Sequence, residues 1–154
     1  MLSWTCKNHT DLTLAELYGL LQLRAAVFVI EQHCLFHDLD SQDLRGQTAH
    51  LMAWEDDRLA AYCRLLDPAY DENGEAVIGR VVVAPAWRGS ALGHELMRRA
   101  VAQVQSRWPG VGMYLGAQAH LREFYGAHGF AVATDEYMED GIPHVGMRYA
   151  PIAC

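Results

Sequence analysis

The run Val77-Ile78-Gly79-Arg80-Val81-Val82-Val83 constrains this chain more than any other segment. Its near-continuous apolar character reads as a strand buried on both faces. Pro85, which has no N–H to give a ladder, stops it. A loop of small residues follows, and then a helical pattern from Ser90 to about Arg107, with Leu92, Leu96, Ala100 and Val104 on one face. In a strand-loop-helix unit of this kind, the free N–H groups of the first helical turn favour an anion, typically a phosphate. Small residues let a pyrophosphate approach the backbone, and Arg88 offers a charge-assisted contact. A plain strand-to-helix connection with no ligand satisfies the same pattern. A dinucleotide fingerprint does not fit, because GxGxxG spacing is absent and the unit lies mid-chain.

Around this unit the chain reads as one domain without repeats or linkers, in keeping with its 154 residues. Leu2 to Lys7 suits a short edge strand. Thr13 to about Glu31 reads as a helix capped by Asp11 or Thr13, with Leu14, Leu17, Leu21 and Phe28 at helical spacing. Gln32 to Gln47 reads as a polar loop. Ala49 to Trp54 and Leu59 to Leu66 form a hairpin, and Glu75 to Ala84 encloses the buried strand. Val111 to Gly116 is a strand, and Ala119 to His128 a short helix closed by Gly129. Phe130 to Thr134 and His144 to Tyr149 are the last strands, joined by an acidic turn at Glu139-Asp140-Gly141. This order predicts an α/β (α+β) fold, a mixed sheet with helices on both faces.

A net charge of -7 speaks against a nucleic-acid binder, which needs a basic face, and suits a cationic amine substrate. No stretch approaches the length of a membrane span and no signal peptide is visible, so a cytoplasmic protein with no membrane partner is expected. Cys6, Cys34, Cys63 and Cys154 are irregularly spaced, as free thiols are. His33, Cys34 and His37 lack a second ligand pair, so no metal is expected, although a zinc-dependent interaction domain is one reading of them. Arg64 and Arg80 lie in strands, where pairing with carboxylates is the expected role.

Two segments together resemble the GNAT (GCN5-related) N-acetyltransferase superfamily. Arg88-Gly89-Ser90-Ala91-Leu92-Gly93 follows its acetyl-CoA signature, with Ala91 in place of the first signature glycine. That methyl costs little if the position is helical and is strained if the turn needs positive φ. Tyr114 to Phe130 resembles the second motif, with Phe124-Tyr125, three residues, then Gly129-Phe130. Leu23 to Gln32, Tyr114 to Leu121 and Glu139 to Met147 are similar to the ElaA-type branch.

The resemblance implies a single GNAT-type domain over residues 1–154, with a mostly antiparallel sheet splayed between its fourth and fifth strands. It implies acetyl-CoA as cosubstrate, held by Val81, Val83, Arg88, Gly89, Ser90, Ala91, Leu92, Gly93, His94 and Gln118. The implied reaction is direct attack by the amine of a small molecule or peptide on the thioester. Tyr125 would protonate the leaving thiolate, and Glu31 and His120 are the candidate bases, with His33, His50 and water as others. The alternative is a catalytically weak CoA-binding or sensing module. A homodimer is an allowed assembly.

Overall fold

Thr13 caps the first helix reciprocally with Glu16. The Glu16 N–H donates to Thr13 Oγ1 at 3.0 Å, and the Thr13 N–H donates to Glu16 Oε1 at 2.9 Å. The helix α1 runs over Leu14–Arg24. The computed structural model, which describes residues 1–150, then departs from the expected single helix. Ala25–Glu31 is wound as a π-helix, closed by the Gln32 N–H on the Val27 carbonyl at 2.9 Å. Such windings are rare and concentrate at functional sites. The buried stripe is Leu20, Arg24 and Val27, whereas Leu14, expected on that face, is exposed. A fully buried arginine in an otherwise apolar stripe must find carboxylates inside the fold.

Eight strands form one sheet: β1 (Ser3–Asn8), β2 (Ala49–Glu55), β3 (Arg58–Leu66), β4 (Ala76–Val83), β5 (Met113–Gln118), β6 (Phe130–Val132), β7 (Tyr137–Glu139) and β8 (Ile142–Tyr149). Their order is β1-β2-β3-β4-β5-β8-β6, and β7 continues along the same edge of β8 as β6. All pairs are antiparallel except β4 with β5. The segment read as an acidic turn holds the extra strand β7. The turn itself is the pair Asp140-Gly141, at φ 52° and 75°, which suits a tight hairpin.

Helices cover both faces. On one, Leu96, Met97, Ala100 and Val104 of α2 (Leu92–Arg107) pack with Leu51, Cys63, Ile78 and Leu115. On the other, Leu20 and Val27 pack with Met52, Tyr62 and Val82. Neighbouring residues such as Leu51 and Met52, or Tyr62 and Cys63, thus serve opposite layers, as the period of a strand requires. The expected helix after β5 is a 3₁₀ turn, Ala119–Leu121, followed by the short α3, Arg122–Gly126. Gly129 reverses the chain at φ 92°, where a Cβ would stand 2.8 Å from the Tyr149 ring. Cys6, Cys34 and Cys63 are free thiols, and Cys154 lies outside the described residues.

Candidate active site

The strands β3 and β4 change register in mid-course. Ala61 faces Val83 and Tyr62 faces Val82, but Arg64 faces Gly79. Arg80 and Val81 therefore share the place opposite Cys63, which is a β-bulge, and Arg80 sits at φ 51°. A bulge takes one residue out of the ladder and re-aims the strand. On its other edge, β4 pairs with β5 only at Ala76 with Met113 and Val77 with Tyr114. From Ile78 onward that edge has no strand partner among the described residues. The sheet is splayed between its fourth and fifth strands, with the bulge in one wall of the opening. Val81 and Val83 are half-buried in that wall, and the Val83 carbonyl accepts a bond from Arg88 Nε at 3.2 Å. Gln118 ends β5 opposite His144, and its amide makes no hydrogen bond among the described residues.

The loop after β4 turns on two left-handed residues, Gly89 at φ 80° and Ala91 at φ 62°. Ala91 is the residue before α2, so the position does need positive φ, and its methyl is strained there by roughly 1 kcal/mol. Ala91→Gly is therefore expected to raise stability by up to about 1 kcal/mol, a gain of at most ~2–4 °C in thermal midpoint, tempered by the freer unfolded chain. A lower midpoint on thermal unfolding would contradict the strain. The turn leaves the N–H groups of Gly89, Ser90, Ala91, Leu92 and Gly93 without hydrogen bonds among the described residues. The Leu92 side chain belongs to the core, so only its backbone can serve a ligand. Ser90 Oγ donates back to the Trp87 carbonyl at 2.6 Å. His94 Nδ1 lies 2.8 Å from His128 Nε2, and its ring packs on Phe124 at 4.7 Å.

Arg88 and Glu31, expected in separate roles, meet in one bidentate ion pair. Arg88 Nη1 and Nη2 donate to the two Glu31 oxygens at 2.7 and 2.9 Å. The bonds from Arg88 hold the Glu31 carboxyl below its ordinary range, which makes it a poor proton acceptor. His120 stands exposed on the 3₁₀ turn and makes no hydrogen bond among the described residues. His50 is buried, with both ring nitrogens engaged. Its Nε2–H donates to the Asp43 carbonyl at 2.9 Å, so Nδ1 accepts from the Tyr62 hydroxyl at 2.7 Å. Burial keeps its pKa low, and a neutral ring saturated in this way is structural.

Tyr125 of α3 is buried in the α2-side core, edge-on to Phe124 at 5.0 Å. Its hydroxyl has no hydrogen-bond partner among the described residues, and burial pushes its pKa up to about 12, with Cys63 opposite the bulge adding to the rise. His33 and His37 are exposed, and among the described residues no three His, Cys, Asp or Glu side chains converge on one point.

Sequence reasoning missed a second polar centre. Six ion pairs link Arg24, Asp38, Arg80, Asp40, Arg64 and Asp43 under the loop that follows the π segment. Arg64 and Arg80 do pair with carboxylates, and Arg24 is the unexpected third cation.

The family model for the acetyltransferase (GNAT) domain matches residues 18–151. The chain belongs to the GNAT acetyltransferase family. ElaA of Escherichia coli K12 is 46% identical over 96% of this chain and 95% of its own. The crystal structure of an acyl-CoA N-acyltransferase from Pseudomonas aeruginosa is 55% identical and covers 97% of this chain and 100% of its own, with a TM-score of 0.94. That of Escherichia coli ElaA is 45% identical over 96% and 99%, with a TM-score of 0.91. The ElaA-like similarity therefore spans nearly the whole GNAT domain. Among the described residues no helix is long and apolar enough to cross a membrane.

Proposed function

We propose that this protein transfers the acetyl group of acetyl-CoA to the amine of a small molecule or peptide by direct attack. The observation that carries this reading is the meeting of a β4 edge with five N–H groups at the start of α2, none of them paired among the described residues. Acetyl-CoA supplies an activated acyl group as its thioester. Within residues 88–94, the N–H groups of 89–93 would face its pyrophosphate together with the positive end of a helix, since those of Arg88 and His94 bond to the Pro85 and Ala91 carbonyls. At Gly93 a Cβ would come into van der Waals contact with Phe124 Cζ at 3.4 Å and Val83 Cγ2 at 3.9 Å, so a side chain much larger than a methyl must displace them or enter the groove.

The open edge of β4 offers backbone groups at Val81 to an extended pantetheine arm, in the manner of an added strand. An N–H of the bulged segment would stabilise negative charge on the acyl oxygen, because a fixed donor needs no reorganisation when that charge develops. The Tyr125 hydroxyl would return a proton to the leaving sulfur. With Glu31 held by Arg88 and His50 saturated, His120, His33 or water is left to take the proton of the amine. The net charge of -7 favours approach of a cationic acceptor, which must shed a proton before it attacks.

Calorimetry with acetyl-CoA tests the reading. Saturable binding is expected, and Gly93→Phe, which fills the gap between Val83 and Phe124, is expected to weaken it at least tenfold. Unchanged affinity in that variant would remove the loop from the site.

A further inference from the structure

The six charged residues beneath the 32–47 loop close into a ring of alternating sign. Arg24 Nε donates to Asp38 Oδ2 at 2.9 Å, and Arg80 Nε takes the other oxygen of Asp38 at 2.9 Å. Arg80 Nη2 reaches Asp40 Oδ2 at 3.3 Å, and Arg64 grips both oxygens of Asp40 at 2.8 and 2.9 Å. Arg64 Nη1 continues to Asp43 Oδ1 at 3.0 Å, and Arg24 Nη1 returns to that atom at 2.6 Å. Three cations and three anions each hold two partners, so the ring can be buried without an uncompensated charge. The Asp38 carbonyl is held as well, by Arg24 Nη2 at 2.7 Å and Arg80 Nη2 at 3.2 Å.

What the ring joins is the telling feature. Arg24 is the last residue of α1 before the π segment. The three aspartates belong to the loop after that segment. Arg64 is on β3 where the register resumes beyond the bulge, and Arg80 is the left-handed residue of the bulge itself. A non-glycine residue stays in that conformation only where its surroundings over-determine it. Arg80 is over-determined through its side chain, which is fixed by Asp38, by Asp40 and by the Phe36 ring 5.1 Å beneath the guanidinium.

We infer that this ring is a positioning device for the reaction: through Arg80 it holds the β4 bulge in the form that turns a backbone N–H toward the acyl oxygen. The inference rests on the acetyl-CoA reading above. None of the six residues needs to touch the substrate. Moving any one of them breaks its contacts with two partners, so the end of α1, the loop and the bulge keep one mutual arrangement.

Arg80 allows the device to be separated from ordinary stabilisation, because glycine adopts positive φ freely and alanine does not. Calorimetry is run with acetyl-CoA and with CoA on the wild type, Arg80→Ala, Arg80→Gly and Asp40→Asn, beside thermal unfolding of each. Only acetyl-CoA carries the acyl oxygen. Arg80→Ala and Asp40→Asn are expected to weaken acetyl-CoA binding at least fivefold while CoA binding shifts less than twofold. Arg80→Gly, which lacks the guanidinium but keeps the bulge, is expected to bind acetyl-CoA within about twofold of the wild type despite a lowered thermal midpoint. Equal losses in the alanine and glycine variants overturn the inference. So does an Asp40→Asn variant that melts lower with its preference for acetyl-CoA over CoA unchanged. A wild type that binds neither ligand overturns the acetyl-CoA reading, and the inference with it.

Discussion

Tyr125→Phe is expected to lower kcat by roughly 10²-fold while acetyl-CoA affinity stays within about twofold. The ring is packed into the core between Phe124 and the α2 layer, and phenylalanine preserves that packing. The hydroxyl has no partner among the described residues, so no bond of the fold is lost with it. The thermal midpoint is therefore expected to hold or rise, the opposite of what a structural tyrosine with a satisfied hydroxyl would show. Burial has raised the phenol to about 12, so it stays protonated from pH 6 to 9 and keeps a proton to give throughout. Transfer from such a phenol to a thiolate whose acid has a pKa near ~8.5 runs uphill in water, but the same desolvation raises the thiol. Tyr125 then adds no limb to the pH profile. The rate should rise from acid toward mild alkali because the amine must be neutral, and it should do so alike in both proteins. Equal kcat in the two, at saturating substrates with chemistry limiting, would leave Tyr125 as a core residue and favour a CoA-binding sensor.

The parts of this molecule legible in its sequence are those governed by local rules. The apolar run at Val77 to Val83, the stripe Leu92, Leu96, Ala100 and Val104, and the turn glycine Gly129 each announce themselves within a few residues; the stripe and the glycine hold those roles, and the run is a central strand but only half-buried at Val77, Val81 and Val83. The extra strand β7 was hidden because Tyr137–Glu139 is exposed, acidic and too short to alternate visibly. Nothing in Ala25 to Glu31, which contains neither glycine nor proline, announces a π-helix. The bulge at Arg80 is equally silent, because its left-handed residue is not a glycine. One signal for the ionic interior was present. Arg24 follows Leu20 by four residues and precedes Val27 by three, so it lies on the inward stripe, where a charge needs carboxylates. Asp38, Asp40 and Asp43 were visible as loop residues, but only the folded chain shows that Asp38 and Asp43 are buried and that all three pair with Arg24, Arg64 and Arg80.

Arg24→Met is expected to cost about 3–5 kcal/mol of folding stability, the largest loss at any single position of the ring. Methionine fills much of the same space, so the loss is mainly one of charge. Arg24 is fully buried, and without it Asp38 and Asp43 keep Arg80 and Arg64 but the ring carries one uncompensated negative charge. In a domain of this size the midpoint should fall by ~10 °C or more. The dependence on pH then identifies the cause. Burial alone would raise the Asp43 carboxyl, but the bond from Arg24, and the charges of Arg24 and Arg64, hold it below its ordinary value. A carboxyl depressed in the folded state contributes stability that is present above its unfolded pKa, near ~3.9, and is lost as pH falls through the folded value. The wild type should accordingly weaken below about pH 4, and Asp40, held down to about 2 chiefly by Arg64 against its own burial, shares in that loss. In Arg24→Met the main partner of Asp43 is gone and burial lifts its pKa, so protonation on acidification relieves the unpaired charge. The gap in urea stability between the two proteins should be widest near pH 7 and should narrow toward pH 4. A gap of the same size at both values would trace the loss to packing around position 24 and not to the ring.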